Sequence, residues 1–142
     1  LMSVREATPE DFDAIIEIGQ RFHAFSPWRD RPFDADATRD MLHRMADSDD
    51  AVLLWNGTGI LGGVVASIYF GGGIVAQELF WFADRSGREL LDAFEAWAAG
   101  KGAAGVLMIS LAIDERTDQR MEAIYQRRGY ALRERNYYKE LG

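Results

Sequence analysis

The sequence predicts a mixed α/β fold: a mostly antiparallel sheet with a central parallel strand pair, flanked by about four helices. Three observations predict it. Apolar runs Ala51 to Trp55 and Ile60 to Phe70 flank Asn56-Gly57-Thr58-Gly59, where Asn and Gly tolerate the positive φ of a tight hairpin turn. Ile74 to Phe82 leads through Ser86-Gly87 into an amphipathic helix and then the almost continuously apolar run Val106 to Ile113, a right-handed βαβ pattern with parallel strands. Ahead of both lie two helical stripes, the first with a clear start signal.

Val4 to Ala7 is a short strand candidate. Thr8-Pro9-Glu10-Asp11 then starts a helix, with Thr8 as N-cap, Pro9 at the first helical position and acids in the first turn. Phe12, Ile15, Ile16, Ile18 and Phe22 continue its apolar stripe to about residue 24. Ser26 to Pro32 has too little periodicity and too much proline for an element and reads as a loop. A second helix, about Asp36 to Ala46, turns Met41, Leu42 and Met45 inward. Gly62-Gly63 inside the next strand run predicts a bulge or a close backbone approach. Gly71-Gly72-Gly73 reverses the chain into Ile74 to Phe82. The helix Gly87 to Ala99 carries Leu90, Leu91, Phe94 and Trp97 on one face and ends at Gly100 and Gly102. Val106 to Ile113 is apolar enough for a strand covered on both faces. A last helix spans about Asp118 to Arg128, and Tyr130 to Leu141 is expected to form a strand or hairpin. Residues 1–142 are expected to be a single domain, with Leu1 ahead of Met2 a cloning remnant.

Composition limits what such a fold can do. Of 142 residues, 48% are apolar, enough for a real core, and the longest apolar runs fall well short of a transmembrane span. The expectation is a soluble, cytoplasmic protein with no membrane partner. The absence of cysteine removes disulfides, thiolate nucleophiles and sulfur-ligated zinc. A net charge of −7 argues against nucleic acid, which needs clustered Lys and Arg to displace counterions. The charge is uneven: residues 1–71 hold 12 acids and 6 bases, residues 72–142 hold 11 and 10. A polyanionic cofactor would favour the second half.

The strand, the Ser86-Gly87 turn and the helix start make a backbone anion cradle, to which Arg85, Ser86, Gly87, Arg88 and Glu89 can give N–H groups. Tyr125, from a later helix, can supply a proton beside it. Glu78 sits inside the apolar run Ile74 to Phe82, where burial would raise its pKa toward that of a useful base; the alternative is a structural carboxylate paired with an arginine. His23 and His43 have no partner at metal-ligand spacing, and Asp47, Asp49 and Asp50 read as a solvated loop, so no metal is expected. No serine sits in a nucleophile elbow.

The order β, α, α, β, β, β, α, β, α, β, with a glycine turn after the fourth strand and Tyr125-Gln-Arg-Arg-Gly129-Tyr130 ending the last helix, resembles the GNAT acetyltransferase superfamily over nearly the whole chain. In that family the turn usually reads Arg or Gln, two residues, Gly, one residue, then Gly or Ala. Here Gly87 is the final glycine, while Arg85 and Phe82 stand at the earlier glycine and leading basic positions, so the turn is shortened. The resemblance implies an acetyl-CoA-dependent N-acetyltransferase that moves an acetyl group to a primary amine by direct transfer in a ternary complex. It implies acetyl-CoA bonded to backbone around Phe80 and Phe82 and along the turn, with Tyr125 at the family's proton-donor position. Phe25, Trp28, Arg29, Arg31 and Tyr69 are then candidate acceptor-lining residues, and a small-molecule or peptide amine is the expected acceptor. Dimerisation is common in the superfamily, and Tyr137-Tyr138 could serve a homodimer. The rival expectation is a non-catalytic acyl-CoA-binding or regulatory domain with a degenerate cofactor turn.

Overall fold

A computed structural model describes residues 3–142; Leu1 and Met2 lie outside the described residues. The chain divides into two units, residues 1–109 and 110–142. The first holds a five-stranded sheet in the order β1-β2-β3-β4-β5: β1 (Arg5–Glu6), β2 (Ala51–Trp55), β3 (Gly59–Ser67), β4 (Ile74–Ala83) and β5 (Gly105–Leu107). Every pairing is antiparallel except β4 with β5, which is parallel. Three helices complete the unit: α1 (Phe12–His23), α2 (Ala35–Ala46) and α3 (Gly87–Gly100).

Local signals place the helix starts. Pro9–Asp11 forms a 3₁₀ turn leading into α1, and the Asp11 carboxylate accepts the Thr8 N–H at 2.8 Å. Asp34 caps α2 by accepting the Ala37 N–H at 2.9 Å. Two apolar clusters lie on opposite faces of the sheet. Phe12, Ile15, Ile16, Leu42 and Met45 pack on Leu53, Trp55 and Ile60, while Leu90, Phe94 and Ala98 of α3 pack on Val52, Leu54, Leu61 and Ala76. The side-chain period of two along β2 feeds both clusters, which is why that strand is apolar throughout.

The Gly62-Gly63 expectation is met by a bulge. Gly62 pairs with Phe80 and Gly63 with Glu78, leaving Leu79 as an extra residue on β4. A Cβ at Gly62 would lie 2.3 Å from the Phe80 ring, and one at Gly63 2.4 Å from the Phe94 ring, so both positions need glycine. The extra residue exchanges the faces of β4. Ala76 packs on the α3 side, but beyond the bulge Phe80 and Phe82 pack on the α1–α2 side.

Three expectations need correction. The strand expected over Val106 to Ile113 is only β5, Gly105–Leu107, half-buried rather than covered on both faces. The run Ile60 to Phe70 stops pairing at Ser67, and a turn at 68–73 follows, closed by the Ile68 N–H on the Gly73 carbonyl at 2.8 Å. Tyr130 to Leu141 forms no strand; its side chains are mainly exposed, with Tyr137 89% accessible. A segment alternating Arg, Glu and Tyr has too few apolar side chains on one face to repay the ordering of its backbone.

The second unit contains α4 (Glu115–Arg127), capped by Asp114, which accepts the Thr117 N–H at 2.7 Å. Among the described residues no helix is long and apolar enough to cross a membrane.

Candidate active site

The bulge has chemistry beside it. Glu78 is only 4% exposed, and its Oε1 accepts the Ile109 N–H at 2.9 Å. Burial pushes its carboxyl up to about 7, against the smaller opposing pull of that hydrogen bond. The arginine partner of the alternative reading is not found: among the described residues no guanidinium pairs with Glu78. Its position follows from topology. β5 pairs only with Val75, Ala76 and Gln77, so the ladder on that side of β4 stops one residue before Glu78, and the carboxylate takes an N–H of the departing chain. From Glu78 to Ala83 that edge of β4 has no strand partner among the described residues, and Leu79 is left over by the bulge as well.

Beyond β4 the chain turns through Asp84-Arg85-Ser86 into α3. Ser86, not Gly87, takes the left-handed conformation, with φ 57°. A Cβ at Gly87 would make ordinary contacts at 3.6 Å with Ala83 and Trp81, so this glycine is not demanded by its surroundings. The turn is held from beneath. Asn56, fully buried, donates its amide to the carbonyls of Arg85 and Ser86 at 3.3 Å each. Thr58 Oγ1 donates to the Arg85 carbonyl at 3.2 Å, the Asp84 N–H donates to the Thr58 carbonyl at 3.0 Å, and the Trp81 indole N–H donates to the Gly87 carbonyl at 3.2 Å. Among the described residues the N–H groups of Ser86, Gly87 and Arg88 meet no protein acceptor, as expected at a helix start. Arg85, Arg88 and Glu89 are exposed around them. These groups suit an anionic ligand: three outward donors, two exposed guanidinium groups, and a positive helix end.

The loop between α1 and α2 lies on the other side of β4. His23 Nε2–H donates to the Arg31 carbonyl at 2.7 Å, and buried Ser26 donates to the His23 carbonyl while accepting the Trp28 N–H. Arg29 turns back to the Ser26 carbonyl at 3.0 Å. Phe25 and Trp28 are left exposed, 55% and 46%. Phe25 borders a cavity of about 210 Å³ with Ile18, Arg21, Phe22, Phe82 and Asp84, where Phe22 stacks on Phe82 at 5.0 Å and Arg21 pairs with Asp84 at 3.2 Å. Tyr69 is not brought to this loop. It stands at the other end of β4, a strand roughly 30 Å long. His43 packs edge-on against Phe12, and among the described residues no group of three or more potential ligands could hold a metal.

In the second unit, Tyr125 is 8% exposed. The motif around it terminates α4. Gly129 has φ 88°, its N–H donates to the Gln126 carbonyl at 3.1 Å, and the Tyr130 N–H reaches back to the Tyr125 carbonyl at 2.9 Å. That is a Schellman cap, and the Tyr125–Tyr130 ring contact at 5.4 Å is its usual apolar accompaniment. Helix termination therefore accounts for the glycine and second aromatic of Tyr-x-x-x-Gly-Tyr. Sequence reasoning missed Asn56, Thr58 and Trp81 as supports of the turn before α3: the carbonyls that Asn56 and Thr58 hold lie 27 to 30 residues away, and Trp81, six residues from Gly87, reads simply as part of an apolar strand.

Comparison with known proteins places the fold. No protein-family model matches the chain, nor does any curated protein sequence. Solved structures do. A protein of Arthrobacter sp. FB24 assigned as an acetyltransferase superposes with a TM-score of 0.75 at 22% identity, covering 99% of this chain and 97% of the other. Aminoglycoside 6'-N-acetyltransferase AAC(6')-IG of Acinetobacter haemolyticus gives 0.70 at 15% identity, covering 99% of each chain. AAC(6')-Iy, solved with the bisubstrate analogue CoA-S-monomethyl-acetylneamine, gives 0.71 at 14%, covering 100% of this chain and 99% of that one. The chain has the fold of the GNAT acetyltransferases.

Proposed function

We propose that this chain is an acetyl-CoA-dependent N-acetyltransferase acting on a small-molecule amine by direct transfer, with residues 1–142 working as one domain in the cytoplasm. The observation that carries the reading is the buried Glu78 carboxylate beside a β4 bulge, where β5 leaves the sheet and an outward-facing turn follows. AAC(6')-Iy, of the same fold, is solved with a CoA analogue, which supports CoA as the cofactor, and the aminoglycoside acetyltransferases favour a small amine as acceptor.

In this reading the N–H groups of Ser86, Gly87 and Arg88, with the Arg85 and Arg88 side chains, hold the pyrophosphate, and the backbone at Phe80 and Phe82 holds the pantetheine; Glu89, read from the sequence as a further N–H donor, instead gives its N–H to the Ser86 carbonyl at 3.2 Å and closes the first turn of α3. When bound, acetyl-CoA supplies an activated acetyl thioester. Glu78 takes a proton from the acceptor ammonium, directly or through water; its pKa of about 7 lets it be a base at neutral pH yet accept the proton readily. The Ile109 N–H fixes Oε1. Backbone donors around the unpaired Leu79 stabilise the oxyanion, and Tyr125 Oη gives a proton to the leaving sulfur. Phe25, Trp28 and Arg29 line the acceptor side; Tyr69 reaches it only if an acceptor, or a second copy in a homodimer, extends along β4.

Calorimetric titration of acetyl-CoA is the test, followed by a thiol-release assay over a panel of amines that includes aminoglycosides. Micromolar binding, on the order of −8 kcal/mol, with release driven by one of those amines, is the expected result. Binding without release for any amine would leave a carrier in place of an enzyme, and no binding would remove the reading.

A further inference from the structure

The three successive carbonyls of Arg85, Ser86 and Gly87, where the turn enters α3, all accept from protein donors. The Arg85 carbonyl accepts from the Asn56 amide at 3.3 Å and Thr58 Oγ1 at 3.2 Å; the Ser86 carbonyl accepts from Asn56 at 3.3 Å and the Glu89 N–H at 3.2 Å; the Gly87 carbonyl accepts from the Trp81 indole at 3.2 Å. A trans peptide is planar, with its C=O and N–H pointing in opposite directions. The peptide units joining residues 85 to 86, 86 to 87 and 87 to 88 therefore have their carbonyls turned inward and the N–H groups of Ser86, Gly87 and Arg88 turned out.

Asn56 is an unusual choice for such a place. Its side chain is fully buried between two strands, where an amide costs free energy unless its polar atoms are met. All of them are used: the nitrogen donates to the two carbonyls and Oδ1 accepts the Thr58 N–H at 3.0 Å, while the single proton of the Thr58 hydroxyl, 3.2 Å from both Oδ1 and the Arg85 carbonyl, is shared between those two acceptors. It is not the residue that bends the hairpin, because the positive φ of that turn belongs to Gly57 at 89°. The hairpin is locked under the turn by shape as well. A Cβ at Gly59 would lie 2.3 Å from the Ala83 Cβ, so only glycine lets β3 start so close to the end of β4.

We propose that Asn56, with Thr58 and Trp81, is a positioning residue for phosphate recognition: by holding three successive carbonyls inward, these side chains fix three N–H groups in the outward orientation that a pyrophosphate requires. The inference rests on the cofactor reading above and adds the device that shapes the cradle. A set of N–H groups pre-aimed by buried side chains binds an anion without first reorganising, whereas the same turn without its supports must order itself on binding. It also explains how the turn does without a left-handed glycine. Ser86 holds φ 57° because Asn56 fixes the carbonyls on both sides of it.

The test compares two ligands that share the pantetheine arm but not the phosphates. CoA and acetyl-pantetheine are titrated into the wild-type protein and into the Asn56→Ala, Thr58→Val and Trp81→Phe variants, each checked for folding by circular dichroism. The wild type is expected to bind CoA more tightly than acetyl-pantetheine. Asn56→Ala should lose about tenfold in CoA affinity, the other two roughly two- to threefold each, with acetyl-pantetheine affinity unchanged in all. If Asn56→Ala fails to fold, Thr58→Val and Trp81→Phe decide. An equal loss for both ligands marks a merely structural role and overturns the proposal, as does unchanged CoA affinity in folded variants. A wild type that binds CoA no better than acetyl-pantetheine overturns it too. Failure of the wild type to bind either ligand is a different result, since it removes the cofactor reading itself and this inference with it.

Discussion

The β3–β4 hairpin has two ends that look alike in sequence and behave differently. At one end, Asn56-Gly57-Thr58-Gly59 leads into β3 and lies beneath the close of β4 and the turn that follows it. At the other, Ile68 to Gly73 joins β3 to β4 in the open, with Phe70 97% exposed at φ 72° and no atom near enough to touch a Cβ at Gly71 or Gly73. Both are glycine-rich reversals. The first is wired into the site by side-chain hydrogen bonds that cross 27 to 30 residues of sequence; the second makes only the local bonds of a turn. Glycine content thus marks where a chain reverses, while the polar residue beside it reports whether the reversal has a further duty.

Variants can press on that contrast. The largest effect should come from between the two ends: Gly63→Ala puts a methyl group within 2.5 Å of two Phe94 ring atoms, and a loss of about 3 kcal/mol is expected by urea unfolding. A loss below about 1 kcal/mol would show that α3 can yield, and that the hairpin is not pinned at its middle.

Glu78→Gln should act almost as strongly and with the opposite sign. The folded carboxyl, near 7, lies above its ordinary 4.5, so the native state holds the proton more tightly than the unfolded chain does. Wild-type stability should therefore fall as pH rises from about 4.5 to 7, by at most roughly 3 kcal/mol, and stay low above that. The glutamine variant should lack this slope, match the wild type near pH 4 and exceed it above pH 7, while losing acetyl transfer. Parallel slopes in both proteins would mean the carboxylate is solvated.

Asn56→Ala should cost about 2 kcal/mol, because the buried amide's bonds to the Arg85 and Ser86 carbonyls and to the Thr58 N–H are all lost. Phe70→Gly at the open end should gain about 1 kcal/mol by relieving a left-handed phenylalanine, less the extra freedom glycine brings to the unfolded chain, and should leave CoA affinity unchanged. Equal effects of these two on CoA binding would erase the distinction between the ends.

The same contrast explains what could be read in advance. The start of α1 was legible because its signals are local, Thr8-Pro9 and Asp11 acting on neighbouring backbone, whereas α4 begins at Glu115, three residues before the expected Asp118, on an Asp114 cap that was not recognised. Glu78 was legible because a charged residue in an apolar strand is conspicuous, although its partner proved to be the Ile109 N–H and not an arginine. Gly62-Gly63 announced an irregularity without telling which strand carried the extra residue; Leu79 emerged only from the register. The length of β5 could not be read, since Met108 and Ile109 are as apolar as a strand requires and yet leave the ladder. The supports beneath the turn before α3 were invisible for a related reason. An Asn-Gly pair explains itself as a hairpin, and nothing nearby hints at a second set of partners.

The early stop of the β4–β5 ladder makes the strand its own reporter. Amides of Val75 to Gln77 lie between two neighbours, while from Leu79 to Ala83 those facing away from β3 meet no strand partner in the sheet. In deuterated buffer the first group should retain its protons and the second should trade them quickly. Any molecule that completes the missing edge must slow that trade at alternate positions along one strand, giving a signature of occupancy that needs neither turnover nor knowledge of the acceptor.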